Sequence, residues 1–316
     1  MKILYSVIVP VYNEVDSLDK LFGQIQVAMD SIGAWELIFV DDGSTDGSKQ
    51  SLKKIATKNK LVTVIGFRRN QGKAMALQAG FQAAKGEILI TLDADLQDDP
   101  AEIKKLIKTL NAGNDLVSGL KKNRHDPIDK TIPSYFFNLL IRRLFRLPIH
   151  DVNCGLKVYR REVVESLAIY GELYRFIPIL AAHEGFKIAE VEVKHRPRQF
   201  GRSKFGPSRF ARGFLDLFTV LFLTRFLKRP LHFFGTIGLV CLAVGIVVCL
   251  YLTYLHFGPH VKIGNRPLLL FGVLLIIAGL QFIFTGLIAE LVTHYAQRNI
   301  AQSGYDENSS VGRNQR

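Results

Sequence analysis

The stretch EILITLDADLQDDP, Glu87 to Pro100, joins a β-branched apolar run to a cluster of aspartates. The run Glu87–Leu92 reads as a buried strand, too short for a helix and ended by Asp93, Asp95, Asp98 and Asp99. Like charges this close repel, so either water solvates them or a cation sits among them. Two aspartates separated by one residue project to the same side of an extended chain. Their oxygens suit a hard divalent ion, Mg²⁺ or Mn²⁺, which also takes oxygens from a diphosphate. Asp93 and Asp95 are the candidate metal ligands, and Gln97 can add a carbonyl oxygen. The competing reading is a solvated acidic turn. Asp98 and Asp99 are expected to cap the following helix, whose first residue is Pro100, and to complement its dipole.

Upstream of this strand the chain alternates. Residues 5–12, 35–40 and 61–67 read as buried strands, and 17–32, a segment ending near Lys58, and 71–85 read as helices. Ser44 is the expected cap of the second helix. A fifth strand begins in NDLVSGL, 114–120. Alternating βα units of this length predict an α/β fold with a doubly wound, mostly parallel sheet. In such sheets ligands bind beyond the carboxyl ends of the strands. Asp41 and Asp42 end the second strand there, and Asp93 and Asp95 end the fourth. Neither the dinucleotide-binding glycine fingerprint nor a P-loop is present.

The chain has 316 residues and a formal net charge of +13. Two apolar runs, Phe233–Leu255 and Leu268–Val292, each exceed the ~20 residues that cross a bilayer, and are read as transmembrane helices. The alternative, a pair of buried core helices, conflicts with their being apolar on all sides. Basic residues before the first span and after the second fit a cytoplasmic N-terminal part with both termini on that side, although Lys262 and Arg266 lie in the connecting loop. The first residues do not read as a signal peptide. The basic balance fits attraction to anionic lipid. Nucleic acid is excluded as a partner, since no basic helix or RNA-binding aromatic motif accompanies the charge. Cys154, Cys241 and Cys249 form neither a disulfide framework nor a zinc spacing.

The segments VIVPVYNE, VDDGSTDGS, NQGKAMALQAGFQAAKG and LDADLQDDP resemble the successive motifs of family 2 glycosyltransferases with a GT-A fold. DVNCGLKVYRREVV and RQFGRSKFG, followed by two spans, narrow the resemblance to polyprenyl-phosphate glycosyltransferases of the dolichyl-phosphate mannose synthase and bacterial undecaprenyl-phosphate glucosyl or aminoarabinosyl type. The resemblance implies a nucleotide pocket lined by Pro10, Tyr12 and Glu14, with Asp41 facing the base and Asp42 near the ribose. It places Lys73 near the diphosphate and a metal on Asp93, Asp95 and Gln97. Ordinary turn polarity is the plainer reading of Asp42 and Lys73.

A lipid phosphate is already an anion and needs little help from a base, so direct displacement with inversion is expected, the protein aligning donor and acceptor. A carboxylate can stabilise an oxocarbenium-like transition state. Asp151 is the candidate, against a plain role as a loop cap. Arg202 and Lys204, with Ser203 and Arg198, are expected to hold the acceptor phosphate, and Arg124, Lys130 and Ser134 form a second set. Non-specific attraction to lipid is the simpler explanation for some of these. Residues 133–147 and 205–230 pattern as interfacial amphipathic helices. The expected domains are therefore a catalytic part, 1–204, a juxtamembrane helix, 205–230, a two-helix membrane part, 231–296, and a disordered polar tail, 297–316. Gly272, Gly279 and Gly286 lie nearly on one face of the second span and fit helix packing, or a homo-oligomer contact. The expected donor is UDP-glucose, with GDP-mannose the alternative. Rival functions are a processive polysaccharide synthase, which lacks its Q-x-x-R-W motif here, and a non-catalytic nucleotide-sugar-binding membrane protein.

Overall fold

The computed structural model describes residues 3–121, 140–145, 147, 149–167, 171, 173–197, 208–227, 229–258 and 267–310. It divides into two compact units, Met1–Val220 and Leu221–Arg316.

The first unit is built on seven strands: β1 Tyr5–Val11, β2 Trp35–Asp41, β3 Val62–Gly66, β4 Ile88–Thr91, β5 Leu116–Leu120, β6 Lys157–Arg160 and β7 Ile188–Glu192. Their spatial order is β3-β2-β1-β4-β6-β5-β7. The β1–β2, β2–β3, β1–β4 and β5–β7 pairs are parallel, and among the described strands β6 alone runs antiparallel to both its neighbours. The mostly parallel sheet is thus as expected, but β6 enters it from far along the chain and separates β4 from β5. Every residue of β2 is buried, as a central parallel strand covered on both faces requires.

Helices of this unit among the described residues include α1 Leu18–Asp30, α2 Ser48–Lys58, α3 Lys73–Ala83, α4 Ile103–Asn111, α5 Arg161–Glu165 and α6 Ile177–His183. Alternate strand residues feed two cores. Val7, Val9 and Leu37 pack with Leu21, Ile25 and Leu106 on the α1 and α4 face. Ile8, Ile38 and Leu89 pack with Ala76, Leu77 and Phe81 of α3 on the other. A Cβ on Gly80 would lie 2.3 Å from Ile8 Cγ2, so glycine there lets α3 settle directly on β1.

Ser44 does not cap α2. Gly47, at φ 95°, interrupts the backbone, and the helix starts at Ser48, whose N–H donates to Asp46 Oδ1 at 3.0 Å. Ser44 Oγ instead accepts from Asn13 N at 2.9 Å. Asp99 caps as expected, accepting from Ala101 N at 3.1 Å at the start of a short 3₁₀ turn, Pro100–Glu102. Of the proposed helix over 133–147, residues 140–145 are helical and most of the remainder lies outside the described residues.

Helix α7, Ser208–Arg225, leaves Leu215 and Phe218 exposed. The second unit contains α8 Pro230–Phe257 and α9 Pro267–Ser310. Both are long and apolar enough to cross a membrane, and only 11% of each apolar window is buried, against a core-helix reading. They meet at glycines: a Cβ on Gly279 would lie 2.7 Å from Gly238 O, and one on Gly245 2.8 Å from Gly272 O. The glycine face of the second span therefore packs on the first. Glu290 Oε2 accepts from Leu231 N at 3.1 Å, satisfying a donor in the first turn of α8. The helix continues to Ser310, through most of the segment expected to be a disordered tail. Adding turns to an existing helix avoids the cost of nucleating a new one.

Candidate active site

The loop after β1 is stitched to the loop after β2. Asn13, in a left-handed conformation at φ 52°, accepts from Thr45 N through Oδ1 at 2.7 Å, and Glu14 N donates to Ser48 Oγ at 3.0 Å. Pro10 lies on β1 opposite Val40, and Val11 opposite Asp41, so the two strands end level. Tyr12 is 36% exposed just beyond that end.

Asp41 is buried, and its Oδ1 accepts from Ser44 N at 3.0 Å. Among the described residues, its buried Oδ2 has no hydrogen-bond partner. Asp42 is also buried and accepts from Gln71 N at 2.7 Å and Gly72 N at 3.0 Å. Burial, and then the adjacent Asp41 charge, raise its pKa despite those two donors. Asp42 therefore anchors the loop that starts α3, and the next residue is Lys73.

Lys73 Nζ forms an ion pair with Asp93 Oδ1. Its ammonium also lies 5.0 Å from the centre of the Tyr174 ring. Burial opposes the lysine charge, but Asp93, Tyr174 and Asp95 outweigh it and hold the pKa above the ordinary value. Asp93 is close against the chain of the β6 approach: a Cβ on Gly155 would lie 2.5 Å from Asp93 Cγ, so glycine makes room for that carboxylate.

Burial alternates along the aspartate segment. Ala94, Leu96 and Asp98 are buried, whereas Asp93, Asp95, Gln97 and Asp99 are partly open. Leu96 is fully buried at φ 60°, a strained backbone for a branched residue that the core holds in place. Asp95 Oδ1 accepts from Gln97 N at 3.2 Å. Asp98 does not cap a helix, contrary to expectation. It points inward and pairs with Lys121 Nζ at 2.9 Å, with His195 Nδ1 at 3.7 Å. Burial opposes its charge, but Lys121 and His195 hold it well below the usual carboxylate range, and Lys121 is correspondingly held above its own. The adjoining chain is tied in as well, since Arg196 N donates to Gln97 O at 2.8 Å and Arg196 pairs with Asp99.

Asp151 is 2% exposed, and its Oδ1 accepts from Asn153 N at 3.0 Å in the turn before β6. Its own N–H donates to Glu190 Oε1 at 3.0 Å. Arg124, Lys130, Ser134, Arg198, Arg202, Ser203 and Lys204 all lie outside the described residues.

Lys157, Tyr174 and Arg175 were not foreseen. With Lys73, Asp93 and Thr91 they line a cavity of about 20 Å³. Lys157 lies opposite Thr91 because β6 is antiparallel to β4. Its signal in the sequence is a lone cation in the otherwise apolar GLKVY. Tyr174 and Arg175 lie in the 3₁₀ turn Leu173–Phe176 and have no comparable signal.

Among the described residues no group of three or more His, Cys, Asp or Glu side chains is arranged to hold a metal. Two carboxylates completed by diphosphate oxygens and water are nevertheless a sufficient protein contribution for Mg²⁺, and Asp93 and Asp95 fit that pattern.

This mostly parallel sheet, with acidic groups along its carboxyl rim, has the GT-A arrangement. The chain belongs to glycosyl transferase family 2, whose model matches residues 6–168. It is 38% identical over 306 residues to the dodecaprenyl-phosphate galacturonate synthase of Rhizobium johnstonii, covering 95% of this chain and 90% of that one. It is 36% identical over 291 residues to the undecaprenyl-phosphate 4-deoxy-4-formamido-L-arabinose transferase of Pseudomonas paraeruginosa, covering 91% and 84%. Among solved structures it is similar to glucosyl-3-phosphoglycerate synthase from Mycobacterium tuberculosis in complex with Mn²⁺ and UDP-glucose, with a TM-score of 0.54 and 20% identity over 70% of this chain and 78% of that one. At that identity the likeness is one of fold.

Proposed function

We propose that the protein transfers a single sugar from a nucleoside diphosphate sugar to a polyprenyl phosphate, with inversion, at the cytosolic face of a membrane. The observation that carries this reading is the line of groups along one rim: Asp41 ending β2 and Asp42 just beyond it, Lys73 at the start of α3, and Asp93 and Asp95 after β4. The lipid acceptor is supported by the names of relatives alignable over nearly the whole chain and by two helices fit to cross a bilayer. Those names carry galacturonate and a formamido-arabinose, not the glucose or mannose expected from the sequence.

Asp41 Oδ2 suits an N–H of the base, for which it has no substitute within the described protein. Asp42 orients Lys73 through the Gln71 and Gly72 amides, and Lys73 keeps positive charge where the diphosphate leaves. Asp93 and Asp95, with Gln97 beside them, are the residues to hold Mg²⁺ or Mn²⁺. Such an ion, when bound, acts as a Lewis acid that neutralises the departing diphosphate. A phosphate oxygen of the acceptor attacks the anomeric carbon as its bond to the diphosphate breaks. No proton has to be removed from the acceptor, so none of these residues needs to act as a base. Asp151 is assigned to the oxocarbenium-like transition state, supported by a carboxylate fixed in the turn leading to Gly155. Arg202 and Lys204, with Ser203, Arg198, Arg124, Lys130 and Ser134, are assigned to the acceptor phosphate on sequence alone.

The test is incubation of the purified full-length protein with Mn²⁺, polyprenyl phosphate and a panel of radiolabelled nucleotide sugars. Label entering the lipid phase only with polyprenyl phosphate present is the expected result. Sugar released to water, or built into a long polymer, contradicts it.

A further inference from the structure

Along the carboxyl rim the central strands follow the order β2-β1-β4-β6, with adjacent strands ~4.8 Å apart. Asp41 and Asp42 mark β2, Asp93 follows β4 and Lys157 opens β6. A donor with its base at β2 and its diphosphate at β4 therefore has its sugar beside β6. That orientation rests on the function proposed above.

The sugar's end of the rim carries two buried cations as well as the Asp151 and Asp93 carboxylates. Lys157 is 4% exposed and Arg175 6%, and both line the cavity behind Asp93. Lys73, on the same cavity, has Asp93 as its counter-ion. Lys157 does not: its Nζ donates to the Cys154 carbonyl, and among the described residues it has no ion-pair partner. Taking a charge out of water costs several kcal/mol, and the Asp151 and Asp93 carboxylates, which favour the Lys157 charge from beyond ion-pair distance, do not offset it. Burial holds the Lys157 pKa below the ordinary lysine value, consistent with that cost. An anionic group on a ligand would relieve it. About 20 Å³ is space on the scale of a water molecule, so the cavity admits a substituent and not a sugar ring.

We propose that Lys157 and Arg175 form a specificity site for an acidic donor sugar, taking the carboxylate of a hexuronate into the cavity behind Asp93 while the ring stays on the rim. A neutral hexose leaves the buried ammonium without an anion at ion-pair distance. A uronate gives it a charge-assisted hydrogen bond, a contact corresponding to about tenfold or more in affinity. The donor's other anion, the diphosphate, is the alternative source of the same chemistry.

The experiment is calorimetric titration of the full-length protein in detergent with Mn²⁺, using UDP-galacturonate, UDP-galactose and UDP, with GDP-mannuronate, GDP-mannose and GDP run alongside. Within the set that binds, wild type is expected to hold the uronate about tenfold or more tighter than the neutral hexose. Lys157→Gln should bring that ratio to about one, with the loss falling on the uronate. Lys157→Arg should keep most of the preference, and Arg175→Gln should narrow it. A wild-type ratio near one overturns the proposal. So does a Lys157→Gln protein that binds uronate, hexose and bare nucleotide all more weakly by one factor, because the ammonium then serves the diphosphate. If Lys157→Gln does not fold, the wild-type ratio and Arg175→Gln decide. Binding of neither set overturns this site together with the donor reading. Absent lipid transfer with the uronate ratio intact overturns the function and leaves the site standing.

Discussion

Asp95 and Asp98 are three residues apart and do opposite things. Asp95 lies on the open side of the segment, and Asp98 is buried against Lys121 and His195. The i, i+2 projection of an extended chain made Asp93, Asp95 and Gln97 legible as one set. The same alternation, carried one residue further, sends Asp98 inward and leaves Asp99 to cap, which the capping argument missed by treating both acids alike. Asp95→Ala is expected to abolish sugar transfer while circular dichroism and the melting curve stay near wild type. Asp98→Asn should behave differently. Removing one partner of a buried ion pair costs about 3–5 kcal/mol, so its apparent melting temperature should fall well below wild type at pH 7. Asp98 has a depressed pKa in the folded protein, so its contribution is present above its ordinary value of 3.8 and fades as pH falls below it. The gap between the two melting curves should narrow on acidification below about pH 4. A gap independent of pH would show that the Asp98 charge is not what matters.

At the scale of elements, the strands and helices before β5 were readable from periodicity because each is local and follows its neighbour in space. The insertion of β6 was not. It pairs Thr91 with Lys157 and Leu89 with Tyr159 across a long stretch of chain, and no local pattern encodes such a pairing. Lys157 therefore joined the site only once the sheet was known. Helix α2 was misplaced for a smaller reason, since Gly47 at φ 95° breaks the chain between Ser44 and Ser48. The spans were legible in length and also in contact, because glycines at seven-residue spacing must share a face. Gly279→Leu would drive a side chain into Gly238 O, where even a Cβ lies at 2.7 Å. It is expected to lower the apparent melting temperature of the detergent-solubilised protein while nucleotide affinity is unchanged. An unaltered melting curve would mean the spans do not pack through these glycines.

At the scale of the whole molecule, a catalytic unit and a pair of apolar helices in one chain suit an acceptor that lives in a bilayer. The residues proposed to take its phosphate came from the resemblance and from charge, not from packing. Arg202→Ala is expected to raise the apparent KM for polyprenyl phosphate about tenfold or more, as loss of a charge-assisted contact implies, with the KM for the nucleotide sugar little changed. Equal effects on both substrates would remove Arg202 from the acceptor site. The claim beneath all of this is that a divalent ion on Asp93 and Asp95 carries the diphosphate away from the sugar. It is tested most directly by following lipid-linked product as EDTA is titrated past the added Mn²⁺ and the metal is then restored. Product formation that stops with chelation and returns with Mn²⁺ is the predicted result, and product formed undiminished in excess EDTA would contradict it.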